Sequence, residues 1–415
     1  MNQSELFSAA LGLGEPWEVT GLDFDEPGSR LDVRIDFPRG AKFSCPECAT
    51  AGCPVHDTED KTWRHLDFFQ HQAYLHARVP RVECEHHGVR LVDVPWARPG
   101  SGFTLLFEAL LLQLATAMPV ATIANMTGEH DTRIWRVLEH YVELLRENED
   151  FSGVTRVGAD ETSARKGHDY VSIFMDLDQK RVLLATEGRD AATVERFATD
   201  LENHDGNAAK ITEASIDMSP AFISGTQEFL PAAEITFDRF HVMKKLSEAI
   251  DEVRRTEQKD NPELKASRYV WLKNRSNLTA AQQETLAWLT RPSMRLATAR
   301  AHRWREDFQG FYDQPDPATA EAYLRRWCYG AKRSRLQPVK DFVSLVEGHW
   351  EGITSWHHTR IANGLLEGTN SLIQAAKARA RGYRTKNKMI TIIYLIAGKL
   401  PLPTLSQPLS VAHTM

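Results

Sequence analysis

The chain has 415 residues, 42% of them hydrophobic and 26% charged, with a formal net charge of −6. That length suits about two to four domains, and the composition is that of an ordinary globular chain, which excludes a disordered or fibrous protein. The negative total speaks against a uniformly basic nucleic-acid binder, but it averages over segments of opposite sign: Lys377, Arg379, Arg381, Arg384, Lys386 and Lys388 follow one another with no acid among them, and a local cationic patch is what phosphate binding needs.

The N-terminal stretch MNQSELFSAALGLGEPWEV has no basic start and no long apolar run, so no secretory leader is expected. The most apolar segments are 103–118, broken by Glu108 and Gln113, and 389–397, too short to cross a bilayer. A cytoplasmic protein without a membrane partner is expected. Four of the five cysteines lie between Cys45 and Cys84, a clustering that reads as metal ligation rather than as a disulfide framework. Cys45-Pro-Glu-Cys48 forms one knuckle and Cys84-Glu-His-His87, followed by Gly88, a second. Tyr74–Val82 alternates between them as a strand should. Residues 1–98 are thus expected to be a zinc ribbon with tetrahedral Zn2+ on Cys45, Cys48, Cys84 and His87. His86 competes with His87, and Cys53-Pro-Val-His56 is a spare pair that would replace a knuckle or form a partial second site.

Residues 101–147 read as helical. Pro119–Met126 is a short helix opened by proline, Thr127-Gly128-Glu129 a turn, and Thr132–Leu145 a second helix capped by Asp131. Ile134, Val137, Leu138, Tyr141 and Leu144 make its apolar face, and Arg133 and Arg136 fall on the other. This is the helix-turn-helix pattern, in which such arginines contact DNA.

From 153 to 255 strands and helices alternate: strands over 154–161, 169–176 and 180–186, a helix over 191–202, a strand over 211–217, a helix over 219–229, a strand over 234–237, then a long helix from 242. Three strands, helix, strand, helix, strand is the order of the ribonuclease H-like fold. The first strand is expected to end in Asp160 and the fourth in Asp217, on adjacent strands. Paired carboxylates repel unless divalent cations lie between them, and Mg2+ prefers oxygen ligands. Asp176, Asp178 and Asp238 are competing acids, of which Asp178 suits a hairpin turn and Asp238 lies near His241.

A third acid is expected on a later helix. In Gly364–Tyr383, Glu367, Asn370, Gln374, Lys377 and Arg381 recur on one polar face, while Leu365, Leu366, Leu372, Ile373 and Ala376 make a buried stripe. That face would hold metal at Glu367 and DNA backbone at Lys377 and Arg381, with Arg384 extending the contact. Glu347 and Glu351 are rival third acids. Roughly 150 residues separate Asp217 from Glu367, and 256–350 is expected to be an all-helical insertion splitting a core of 153–255 and 351–400. Its Trp271, Trp288, Trp304 and Trp327 are expected in the core rather than against bases.

Taken together, these motifs resemble the ISL-three group of bacterial insertion-sequence transposases over nearly the whole chain. The carriers are Cys45-Pro-x-Cys48; Val55-His56-Asp57 with Trp63-Arg64-His65-Leu66-Asp67; Cys84-x-x-His87-Gly88; Gly158-Ala-Asp160-Glu161; Ser215-Ile-Asp217-Met218-Ser219; Phe237-Asp-Arg-Phe-His241-Val242; and Glu367-Gly-Thr-Asn370 with Arg381-Gly-Tyr383. The resemblance implies a multi-domain α/β protein: zinc module, helix-turn-helix, and an Asp-Asp-Glu core built from Asp160, Asp217 and Glu367. It further implies two Mg2+ (or Mn2+) ions, double-stranded DNA partners (the element's terminal inverted repeats and a target), and a homodimer on DNA. His241 and Asn370 are expected to support the acids or touch DNA. A DNA-binding regulator derived from such an enzyme is the rival, and the intact acids argue against it.

Overall fold

The computed structural model describes residues 2–165, 169–361 and 364–406. It has two units with separate cores: among the described residues, one runs to Arg146 and takes in 400–406, and the other spans Glu147–Lys399. In the first, α1 (Gln3–Ala10) precedes β1 (Glu18–Asp25), β2 (Arg30–Asp36), β3 (Lys42–Phe43), β4 (Cys53–Arg64), β5 (Gln72–Cys84) and β6 (Gly88–Leu91). The sheet order is β1-β2-β5-β4-β3, with β6 added on β5. Strands β2 and β5 are parallel, and the other pairs antiparallel. The expected alternation over Tyr74–Val82 belongs to the longer β5, which buries Ala73, Leu75, Ala77 and Val79. They share a core with Trp17, Trp63 and Trp96, whose rings meet edge to face.

The helices α2 (Leu105–Ala117), α3 (Val120–Thr127) and α4 (Asp131–Glu147) complete this unit. Gly128 ends α3 at φ 70°, left-handed backbone that glycine adopts without strain, and so makes the α3–α4 turn. Ile134, Val137, Leu138 and Tyr141 are buried, as their spacing predicts. The cap is corrected by one residue: His130 Nδ1 accepts from the Thr132 N–H at 3.3 Å, and Asp131 is already inside the helix. Glu108, the acid in the apolar run of α2, is fully buried. It accepts hydrogen bonds from Arg98, Ser101 and Tyr141, without which burying a carboxylate would be costly. Among the described residues no helix is long and apolar enough to cross a membrane.

The second unit opens with β7 (Arg156–Arg165), β8 (Asp169–Asp176), β9 (Arg181–Glu187), α5 (Ala191–Asn203), β10 (Glu213–Ile216), α6 (Pro220–Phe229) and β11 (Glu234–Phe237). The sheet order is β11-β10-β7-β8-β9, and β8 alone runs against the rest. Asp176 closes the β8–β9 turn by accepting from the Asp178 and Gln179 N–H groups at 2.9 Å each. Phe174 stacks on Phe197 of α5, centroids 4.5 Å apart. The strand expected to stop at Glu161 continues to Arg165, because β8 keeps pairing with it.

Beyond β11 the described residues form helices and turns but no strand: α7 (Arg239–Glu257), α8 (Arg268–Leu272), α9 (Ala280–Leu289), α10 (Ala297–Tyr312), α11 (Pro317–Ala331), α12 (Gln337–Gly348), α13 (Trp350–Thr354), α14 (Trp356–Thr359), α15 (Gly364–Arg379) and α16 (Lys386–Ala397). Trp271 and Trp327 are buried and Trp304 meets Trp327 edge to face, whereas Trp288 is 41% exposed, contrary to the core expectation. Helix α15 packs on β7 and α16 on β9, where the Tyr394 hydroxyl accepts from the Ala185 N–H at 2.9 Å.

Candidate functional site

Two clusters of ligand-type side chains stand out, one in each unit. In the first unit, the turn after β3 carries Cys45 and Cys48. Cys84 ends β5, and Gly88, at φ 69°, turns the chain into β6 just after His87. The donor atoms of Cys45, Cys48, Cys84 and His87 all lie within 4.8 Å of one another. Cys48 Sγ is 3.7 Å from Cys84 Sγ, and His87 Nδ1 is 3.7 Å from Cys45 Sγ and 3.8 Å from Cys84 Sγ. A tetrahedron with metal–sulfur bonds of about 2.3 Å has edges close to these, so the set fits structural zinc. The Thr50 hydroxyl and N–H draw the Cys48 thiol down to about 6, toward the thiolate that ligates metal. Glu47 stands 3.6 Å from His87 Nε2 and is itself held by Arg90. A carboxylate behind a ligating imidazole fixes the ring, a support the sequence reading missed. His86, Cys53 and His56 stay outside the cluster, and Cys53 Sγ donates to the Thr50 carbonyl instead.

In the second unit, parallel pairing sets Gly158 of β7 beside Ser215 of β10. Two residues further along each chain, Asp160 comes alongside Asp217, which directly follows β10. Asp160 is therefore mid-strand, and it is β10 that ends there. Gly158 is the docking point for α15: a Cβ on it would lie 2.7 Å from Leu366 Cδ1 and 2.9 Å from Leu177 Cδ2. With Leu366 seated there, the next residue, Glu367, faces the acids. Asn370 donates its amide to Asp160 Oδ2. Further along, Gln374 Nε2 donates to Thr162 Oγ1 at 2.7 Å and Lys377 Nζ to the Ser163 carbonyl at 2.6 Å.

The acids feel one another. Burial pushes the Asp160 carboxyl up and the charges of Asp238 and Asp217 push the same way, while the Glu161 N–H and His241 pull it down. Partial burial, Asp238 and Asp160 raise Glu367, again against His241. Glu161 is pushed up to about 7 by burial, Asp217 and Asp160, with Arg189 opposing. Asp160 thus lies within electrostatic reach of Asp217, Asp238 and Glu367, and Glu161 within reach of Asp217 and Asp160. Asp238 caps α7, accepting from the Phe240 N–H at 2.8 Å. Glu347 pairs with Lys332 at 2.7 Å instead.

The expected DNA contacts divide. Arg136 is exposed, but Arg133 is tied to Glu129, donates to the Gly102 carbonyl at 3.2 Å and lies 4.1 Å over the Phe103 ring. Lys377 is spent on β7, and Lys386 on Asp169 and Glu187. Arg381 is exposed but outside α15, in left-handed backbone at φ 56°, because the helix ends at Arg379. Arg384 is exposed, and its carbonyl accepts from Arg165. The apolar stripe of α15 is narrower than expected: Leu366, Ile373 and Ala376 are buried, and Leu372 is 43% exposed.

Comparison with known proteins agrees with this layout. A DDE-type ISL3 model described as "Transposase" matches residues 157–393. The "helix-turn-helix domain of transposase family ISL3" matches 92–142, and the "zinc-finger of transposase IS204/IS1001/IS1096/IS1165" matches 41–87. The chain is 28% identical over 443 residues to the transposase for insertion sequence element IS1557 of Mycobacterium tuberculosis, covering 97% of each. It is 28% identical over 389 residues to the transposase for insertion sequence element IS1001 of Bordetella parapertussis, covering 89% of this chain and 93% of that one. With more than half its length matched by the first of these models, and its helix-turn-helix and zinc module by the others, the chain belongs to the ISL3 family of insertion-sequence transposases, DNA transposases of the DDE type.

Proposed function

We propose that this transposase binds the terminal inverted repeats of its insertion sequence and cuts and joins DNA there, with Asp160, Asp217 and Glu367 holding two Mg2+ (or Mn2+) ions. The reading rests above all on acids from three remote points of the chain meeting where α15 docks on β7 at Gly158. The strand order, with β8 alone antiparallel, supports a ribonuclease H-like core of residues 153–255 and 351–400, with 256–350 as its all-helical insertion. Residues 1–98 then form the zinc module and 101–147 the DNA-reading helices, with Arg136, Arg381 and Arg384 available to phosphates.

Carboxylate oxygens are the hard donors Mg2+ prefers, and their mutual repulsion falls when cations neutralise them. Asp160, Asp217 and Glu367 would hold such ions, which when bound would supply activation of the attacking oxygen and stabilisation of the leaving one. The chain's own groups prepare this. Asn370 holds Asp160 in orientation through one carboxylate oxygen. His241 favours the charged forms of Asp160 and Glu367. Gln374 and Lys377 pin α15 so that Glu367 keeps its place. Attack by water on the phosphodiester nicks the element end and leaves a 3′-hydroxyl, and attack by that hydroxyl joins the end to target DNA. Two ends must be held together, which suits a homodimer.

The test is incubation with Mg2+ and a labelled duplex carrying the element's own end, comparing wild type with Asp217→Ala. Metal-dependent cleavage at the end, lost in the variant while binding persists, is expected. Specific binding without cleavage by the wild type would instead identify a DNA-binding regulator.

A further inference from the structure

The helical segment carries a charge feature that none of the expected DNA contacts used. Arg275 after α8, Arg291 and Arg295 between α9 and α10, and Arg300 and Arg303 on α10 line one cleft of about 730 Å³. All five are exposed, and among the described residues none has a carboxylate oxygen within 4.0 Å. The one acid on the wall, Glu306, is neutralised by Arg305 at 2.9 Å. The imidazole there, His302, is held down to about 4 by burial, Arg305 and Arg275, so it stays neutral. Five guanidiniums in one concavity, of which only Arg303 also feels a carboxylate, that of Asp307 on its own helix, oppose one another unless an anion lies among them.

A second cleft, of about 620 Å³, is lined by Asp238 and Glu367 together with Asn274 and Arg305. The two clefts share no lining residue, but residues next to one another in the chain line them. Asn274 precedes Arg275, and Arg305 reaches Asn274 Oδ1 at 2.9 Å on one side and Glu306 on the other. Chain neighbours thus line the cleft of the acids and the cleft of the arginines. A free phosphate would occupy the arginine cleft alone, whereas a phosphodiester chain at the acids extends beyond them.

We propose that the arginine cleft grips the phosphate backbone of duplex DNA adjoining the scissile bond, independently of base sequence. The proposal rests on the DNA-cutting reading above. It is tested on the full chain by measuring affinity for a labelled duplex that extends beyond the element's end, without Mg2+, over a range of salt. Wild type is compared with Arg291→Gln/Arg300→Gln/Arg303→Gln and with the same three positions changed to Lys. Each phosphate contact contributes about 0.9 to the slope of log affinity against log salt. The Gln variant should lose up to about 3 from that slope and bind roughly 10- to 100-fold more weakly at moderate salt, while the Lys variant keeps most of both. Because the side chains are exposed, melting temperatures should match, and the Lys variant controls for folding. A Gln variant with wild-type affinity and slope would overturn the proposal. So would stabilisation of the wild type by inorganic pyrophosphate, absent in the variant, at unchanged DNA affinity, since the cleft would then serve a small phosphate. Nicking with Mg2+ is read in parallel. Wild-type nicking with no change in binding removes the cleft and leaves the catalytic reading. Weaker variant binding with no nicking by wild type does the reverse.

Discussion

The two metal-type clusters are built in opposite ways. The Cys45, Cys48, Cys84 and His87 set is assembled by two tight turns on neighbouring strands, and its donors already stand at tetrahedral spacing. The acid cluster is drawn from β7, the end of β10, the start of α7 and α15, and Asp160, Asp217 and Asp238 each raise a neighbour's cost of ionising. Thiols and an imidazole can be neutral and hydrogen-bond to one another, so they tolerate contact. Carboxylates at neutral pH can only accept, and they hold together through the packing behind them. In the first cluster the ligands build the site; in the second the scaffold does.

That contrast can be broken by experiment. The largest effect should come from Cys84→Ser or a strong zinc chelator. Structural zinc contributes roughly 10–16 kcal/mol in small domains, so residues 41–91 should lose their hydrogen-exchange protection while the sheet of β7–β11 keeps its own. Protection retained in 41–91 would mean that the aromatic core, not the ligands, builds that site. An intermediate effect concerns the helical scaffold and acid. The folded His302 imidazole titrates at about 4 against 6.5 when unfolded. Between those values the unfolded chain binds the extra proton, so stability falls as pH drops from 6.5 toward 4, by on the order of 3 kcal/mol. His302→Gln should flatten that part of the profile in thermal melts, and an unchanged profile would discard the assignment. The smallest change is one methyl group. Gly158→Ala should cost about 2 kcal/mol through overpacking and reduce cleavage, because the Leu366 and Leu177 side chains that seat α15 must move. Adding Leu366→Ala makes room for the methyl, so the double variant should recover cleavage relative to Gly158→Ala alone. If the two losses simply add, Gly158 is not the docking point.

Much of this could be read from the residues, and what could not has a common cause. The cysteine spacing, the Gly128 turn, the strand order and Asp217 at its strand end are short-range signals, and each has its counterpart in the structure. Asp160 looked like a strand end because acids usually terminate apolar runs. It is mid-strand because β8 pairs onward after β10 stops. Lys377 and Arg381 shared a helical face on paper, but the helix ends between them, and the carbonyl that takes up Lys377 lies 214 residues away in the chain. Arg133 faced outward by periodicity, yet Glu129, Gly102 and Phe103 tie it down. Asp238, already one of the competing acids, and Glu161, next to Asp160 in the chain, came close to the acids, whereas five arginines from three chain segments formed a cleft through tertiary proximity that no spacing announces.

The pinning of α15 along β7 has a wider consequence. Asn370, Gln374 and Lys377 engage successive points of one strand, so the helix is indexed against β7 like a rack against a pinion. A slip of one turn would carry Glu367 about 5.4 Å from its place. Because that index is set by β7 itself, the helices from α8 to α12 need only deliver the chain back toward Gly364. Their length and surface are free to change without retuning the acids, so this stretch can acquire new contacts while the chemistry stays as it was.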